Sequence, residues 1–152
     1  MILWSVFAGI IILIDQLTKW LVVNNIKLEE ESISIIPKIL DFVHIHNPGA
    51  AFNILSGRIE ILSIISLLFS IGVVWYMLYK KPQNKLFRIS AMLLFAGAVG
   101  NAVDRIFRGQ VVDFIKLAFI NFPVFNIADI SITCGAALLI IYILFFDEKK
   151  EQ

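Results

Sequence analysis

The amino-acid sequence predicts an all-α membrane protein, with four transmembrane helices and a small extracytoplasmic β-platform. Three observations predict it. Of the 152 residues, 59% are apolar and only 16% charged, far from the balance of a soluble globular domain. The apolar residues gather in four runs long enough to cross a membrane, given that about 20 residues span a hydrocarbon core of about 30 Å. One intervening stretch, Asn24 to Arg58, is too polar and too broken to span, and it carries strand-like alternation. The length is that of one domain, so residues 1–152 are expected to form a single membrane-embedded unit. A net charge of +1 and the lack of an Arg-rich or RNP-like segment exclude a nucleic-acid partner. The lone Cys134, deep in an apolar run, has no intrachain partner and reads as a packing residue.

The first helix covers about residues 3–23. Its opening run, Ile2 to Ile14, has the length of a signal-peptide core, but Asp15, Gln16 and Lys19 follow it instead of a small-x-small cleavage site, so it reads as a retained span. Asp15 and Lys19 stand at i and i+4, where a carboxylate and an ammonium neutralise each other. Gln16 and Thr18 add hydrogen-bonding capacity, and Trp20 suits an interface anchor.

Residues 24–58 form the platform. Ser32-Ile33-Ser34-Ile35 alternates as a half-buried strand does, Pro37 breaks it, and Asp41 to Ile45 offers a second short extended piece. His44 and His46 flank Ile45 on one strand face; a closed structural zinc site would need carboxylates as well, so they read as interfacial histidines and no metal is expected. Asn47-Pro48-Gly49-Ala50-Ala51-Phe52-Asn53 then marks a turn whose small residues allow close approach of a backbone or ligand.

The second helix, about 59–79, carries Ser63, Ser66, Ser70 and Gly72 roughly along one stripe, the small-residue pattern of close packing in lipid, and an aromatic belt of Trp75, Tyr76 and Tyr79. Lys80, Lys81, Lys85 and Arg88 follow with no acid among them, which makes this loop cytoplasmic. The second helix therefore runs inward and the third outward, and both termini are cytoplasmic; Lys149 and Lys150 agree, diluted by Asp147, Glu148 and Glu151. The third helix, about 87–107, contains Ala96-Gly97-Ala98-Val99-Gly100, suited to tight contact, and ends in Asn101, Asp104 and Arg105. An Asp-Arg neighbour pair at a helix end reads as a clamp, although the planar Arg105 fork also suits a carboxylate or a peptide carbonyl. Gly109 to Phe125 is a second extracytoplasmic connection carrying Asp113 and the Pro123 turn. The fourth helix, about 126–146, holds Asp129 in its first turn, where the helix dipole favours a negative charge.

This topology gathers Asp15, Lys19, Asn101, Asp104, Arg105, Asn126 and Asp129 toward the outer leaflet. Independent snorkelling would scatter charges to both faces, so a shared site is expected. Asp129 opens an apolar run, Ile130 to Phe146, where an ionised group is costly. Paired with Asp113 it reads as a water-activating acid/base dyad at the membrane surface. Two other readings differ in kind. A small proton-coupled transporter would use Asp15 or Asp129 as its ion site but would want carboxylates near the midplane; a scaffold without chemistry leaves both aspartates unmotivated.

Several blocks together carry a resemblance: Asp15-Gln16 with Lys19; Asn47-Pro48-Gly49-Ala50-Ala51-Phe52; Gly100-Asn101-Ala102-Val103-Asp104-Arg105; Val112-Asp113-Phe114; and Phe125-Asn126-Ile127-Ala128-Asp129 with Ser131. In this order the chain resembles lipoprotein signal peptidase (signal peptidase II), a family of bacterial membrane aspartyl proteases. The resemblance implies that Asp113 and Asp129 are catalytic. It implies that Asn101, Asp104, Arg105 and Asn126 surround that dyad, and that Asp15, Lys19, Asn47 and Gly49 support it or position substrate. It further implies cleavage on the amino side of a diacylglyceryl-modified cysteine in prolipoproteins, inhibition by the cyclic peptide globomycin, and no cofactor. The expected setting is the bacterial cytoplasmic membrane, in contact with membrane lipid. With no heptad pattern, a monomer is expected.

Overall fold

The computed structural model describes residues 2–49 and 57–146. Its elements are α1 (Ile2–Asn25), β1 (Ser32–Ile36), β2 (Leu40–Asn47), α2 (Ile59–Lys80), α3 (Lys85–Arg108), β3 (Val111–Leu117) and α4 (Ile127–Phe146). The four helices are each long and apolar enough to cross a membrane. In the most apolar stretch of α3, 50% of residues are buried, against 22%, 22% and 17% in α1, α2 and α4, so α3 is the central helix and the others turn most of their apolar surface outward. Only a surrounding as apolar as lipid makes that exposure favourable.

The helix ends follow local chemistry. α3 starts two residues before the expected position because the Asn84 side chain accepts from the Leu86 and Phe87 N–H groups at 2.8 and 3.2 Å. It stops at Gly109, whose φ of 74° is the left-handed conformation that glycine adopts freely, with its N–H donating to the Arg105 carbonyl at 3.1 Å. On α2, Ser63 and Ser70 are buried as the small-residue stripe requires, and their hydroxyls donate to the Ile59 and Ser66 carbonyls. Gly72 is not part of the packed stripe: a Cβ there would meet nothing within 4 Å, and the residue lines an apolar cavity of about 280 Å³. α3 and α4 approach closely instead, a Cβ on Gly135 falling 2.9 Å from the Leu94 backbone nitrogen. The belt residues Trp75 and Tyr79 stack at 5.3 Å, both exposed.

The platform is a three-stranded antiparallel sheet in the order β1-β2-β3. Its third strand corrects the expectation of a plain connection between Gly109 and Phe125. Val111 to Ile115 are all buried, so both faces are covered and the apolar/polar alternation that announces a half-exposed strand is missing. Val112, Phe114 and Ile115 pack with Val22 and Ile26 at the end of α1, fixing the sheet to the helices. The strand pair β2-β3 shifts register between Phe42 and Ile45, so β2 carries one extra residue there. Phe125 then pairs with Ile115 and exchanges N–H and carbonyl with it at 2.8 and 3.1 Å, seating the start of α4 against β3.

Candidate active site

Two local devices bring the acidic residues together. The first is the bulge in β2. Without it Asp113 would face His44; with it Asp113 pairs with Ile45, and Asn47 falls on the same face as Asp113. The Asn47 side-chain amide donates to Asp113 Oδ2 at 2.9 Å, while its own Oδ1 accepts from the Gly49 N–H at 2.9 Å, closing an Asx turn. The second device is a reciprocal cap at the start of α4. Asn126 Oδ1 accepts from the Asp129 N–H at 3.0 Å, and Asp129 Oδ2 accepts from the Asn126 N–H at 3.1 Å. The same Asn126 donates through Nδ2 to Asp113 Oδ1 at 2.7 Å. One residue thus touches both carboxylates.

Asn101 completes the frame: its Nδ2 donates to Asp129 Oδ1 at 2.8 Å, and its Oδ1 accepts from Asn126 Nδ2 at 3.1 Å and from Lys19 Nζ at 3.0 Å. Asp113 is buried, and that burial, reinforced by the neighbouring Asp129 carboxylate, raises its pKa to about 6 even though Asn47, Asn126 and Lys19 oppose the shift.

Beneath the pair lies a buried ionic knot. Lys19 Nζ sits 2.9 Å from Asp15 Oδ2 and 2.9 Å from Asp104 Oδ2, with all three side chains essentially inaccessible. Asp15 Oδ1 accepts from the Ala128 N–H at 2.9 Å, which ties α1 to the first turn of α4. Asp104 Oδ2 accepts from the Val112 N–H at 3.2 Å, which ties α3 to β3. Gln16 Nε2 donates to the Gly100 carbonyl at 3.0 Å and to Asp15 Oδ2 at 3.1 Å. Among the described residues no buried side-chain nitrogen or oxygen lacks a partner.

One expectation from the sequence needs correcting. Asp104 does not clamp Arg105. It pairs with Lys19 and, at 3.6 Å, with Arg108, one turn on along the same face. Arg105 Nη2 instead donates to the Gly49 carbonyl at 3.1 Å, holding the turn that follows β2. Thr18 stays outside the cluster, its hydroxyl donating to carbonyls of its own helix. All of Asp15, Lys19, Asn47, Gly49, Asn101, Asp104, Arg105, Asp113, Asn126 and Asp129 belong to one connected cluster. The small residues Ala50 and Ala51 and the aromatic Phe52 of the turn lie outside the described residues. The backbone N–H groups of Val112 and Ala128, which the carboxylates hold, carry no side-chain signal a sequence could show.

A family model described as signal peptidase (SPase) II matches residues 7–145. The chain belongs to the signal peptidase II family. Membership makes this member of signal peptidase II a protease, a hydrolase, and with its four apolar helices a multi-pass membrane protein. The chain is similar to a lipoprotein signal peptidase of Anoxybacillus flavithermus, 42% identical over 152 residues, with 99% of this chain and 89% of the relative covered. It is similar to another of Halalkalibacterium halodurans, 39% identical, with 99% and 96% covered. A bacterial membrane enzyme solved by the in meso method superposes with a TM-score of 0.91 at 36% identity, covering 100% of this chain and 94% of that one.

Proposed function

We propose that the protein removes signal peptides from diacylglyceryl-modified prolipoproteins, cutting on the amino side of the lipid-bearing cysteine with Asp113 and Asp129 as the water-activating pair. Family membership supports the coarse activity, the removal of signal peptides from lipoproteins. The two-aspartate chemistry rests on the bridging of both carboxylates by Asn126.

Two carboxyls sharing a poorly solvated site do not both ionise cheaply, so they hold one proton between them and titrate as a unit. The ionised member takes a proton from water as its oxygen attacks the scissile carbonyl carbon. The protonated member gives its proton to the carbonyl oxygen, and the tetrahedral adduct collapses with proton transfer to the leaving amine. Asn126 and Asn101 hold both carboxyls in register for this exchange. Arg105, through Gly49, fixes the turn beside Asp113 where the substrate backbone would lie.

The chain ends and the sidedness follow from charge. α3 begins at Lys85, beside Lys80, Lys81 and Arg88, and carries Asn101 and Arg105 at its other end. The positive-inside bias then sets both termini in the cytoplasm and the site at the outer side of a bacterial cytoplasmic membrane. Substrate acyl chains would stay in membrane lipid while the cysteine reaches the dyad, which gives a reason for building this protease in a bilayer. The protein acts as a monomer without cofactor and is sensitive to globomycin.

Purified protein incubated with a synthetic diacylglyceryl-modified precursor should yield two products whose masses place the cut before the modified cysteine. Equal cleavage of the unlipidated precursor, or a cut elsewhere, would refute the substrate assignment.

A further inference from the structure

We propose that His44 and His46 form an open two-histidine site for one divalent transition-metal ion of the zinc class, bound through both Nε2 atoms with water in the remaining positions. The two Nε2 atoms stand 3.2 Å apart. Two imidazole nitrogens on a tetrahedral ion, each about 2.0–2.1 Å from it, are separated by about 3.3 Å.

The outer nitrogen of His44 is held as a ligating histidine requires, and that of His46 reaches the same arrangement when its Gln110 partner turns over. His44 is buried and its Nδ1 lies 3.0 Å from the Ile26 carbonyl, an acceptor only, so the proton is on Nδ1 and the Nε2 lone pair faces His46. His46 Nδ1 lies 2.6 Å from the side-chain amide of Gln110. In the metal-free pair, Gln110 donates to His46 Nδ1 and the His46 Nε2–H donates to His44. On metal binding the His46 proton moves to Nδ1 and Gln110 turns its amide over to accept it, so both Nε2 lone pairs become ligands with no net proton released.

The charges around the pair suit this. Glu29, from the loop before β1, and Arg108, from the end of α3, are the charged side chains that act on His46, one of each sign. Among the described residues no group of three or more His, Cys, Asp or Glu gathers around a common point, so the two histidines would be the protein's whole contribution to the ion. The β2 bulge turns His46 to the face opposite Asp113, pairing it with Val112, so the ion would sit apart from the dyad.

The test uses full-length protein carrying no polyhistidine tag. Zn²⁺ competition against a fluorescent chelator should show one ion per chain, weakened at least tenfold by His44→Gln or by His46→Asn. His46 is only half-buried, so the second variant keeps the test open should the first fail to fold. The Cu²⁺ form should show hyperfine coupling to two imidazole nitrogens in its electron paramagnetic resonance spectrum. Binding by His46→Asn as tight as the parent, or a Cu²⁺ spectrum with fewer than two coupled nitrogens, would overturn the proposal.

Discussion

Asn126 and Asp129 grip each other across the first turn of α4, the Asn126 N–H donating to Asp129 Oδ2 at 3.1 Å and the Asp129 N–H returning to Asn126 Oδ1 at 3.0 Å. The motif is a helix cap, and here the capping carboxylate is also the proposed catalytic one. The stabilising and the chemical roles of Asn126 can be separated. Asn126→Ser keeps a capping oxygen but loses the amide that reaches Asp113. It should retain most of the roughly 1 kcal/mol that such a cap contributes, while turnover of a lipidated precursor falls about 100-fold or more, the scale of a mispositioned acid/base pair. Asn126→Ala should lose both. Equal turnover in the serine variant and the parent would show that the bridge to Asp113 is not used.

Asp113→Asn and Asp129→Asn each remove one member of the proton-sharing pair. Both variants should insert and fold, since asparagine matches aspartate in size, yet neither should process precursor above background. Full turnover by either one, measured as product mass over time, would remove that residue from the dyad.

The raised pKa of Asp113 has a signature in stability as well. A carboxyl whose pKa rises from 3.8 to about 6 on folding binds its proton more tightly in the folded state. Its contribution is therefore fully present below pH 3.8 and is lost as the pH climbs through about 6, with no further change above that. A rise of that size corresponds to a loss of about 3 kcal/mol, which belongs to the Asp113–Asp129 pair because the two carboxyls titrate together. The apparent melting temperature in detergent should fall between pH 4 and pH 7, and Asp113→Asn should flatten that fall. An identical pH dependence in the variant would show that the Asp113 carboxyl is not the group responsible.

The four spans were legible because each is a long apolar run, and the polar cluster because charges in such runs are costly and all of them fell at one end of the bundle. The link between Asp15 and Lys19 followed from helical spacing. Its third member, Asp104, did not, because contact between α1 and α3 depends on how closely Gly100 lets them approach. The strand β3 was missed since full burial erases the alternation that marks a strand. The pairing of Asn47 with Asp113 depends on one extra residue in β2, and nothing in LDFVHIHN says where a bulge falls.

The ionic knot makes a prediction of its own. Lys19 is the buried cation that stands between Asp15 and Asp104, and Lys19→Met would leave the two buried carboxylates facing each other, with Arg108 still 3.6 Å from Asp104. Removing one partner of such a buried group costs about 3–5 kcal/mol, enough to unfold a marginal membrane protein or to lower its melting temperature sharply. Adding Asp104→Asn should restore part of that loss, because it removes one of the stranded charges. If Lys19→Met alone melts with the parent, the knot contributes nothing to stability.

Gly100 sets the distance between α1 and α3. A Cβ at that position would lie 2.7 Å from Asp15 Oδ2 and 3.2 Å from the Ala128 side chain. The carboxylate cannot simply retreat, because its other oxygen holds the Ala128 N–H at 2.9 Å and its Oδ2 holds Lys19 at 2.9 Å. Gly100→Ala should therefore cost about 1–3 kcal/mol, the usual result of forcing one methyl into a filled interior. It should also lower turnover, because displacing Asp15 loosens the first turn of α4 on which Asp129 stands. Phe107→Leu, at an exposed position of the same helix, provides the control for a general effect on α3. Should Gly100→Ala melt and turn over like the parent, the close approach of Asp15 would carry no weight in holding Asp129.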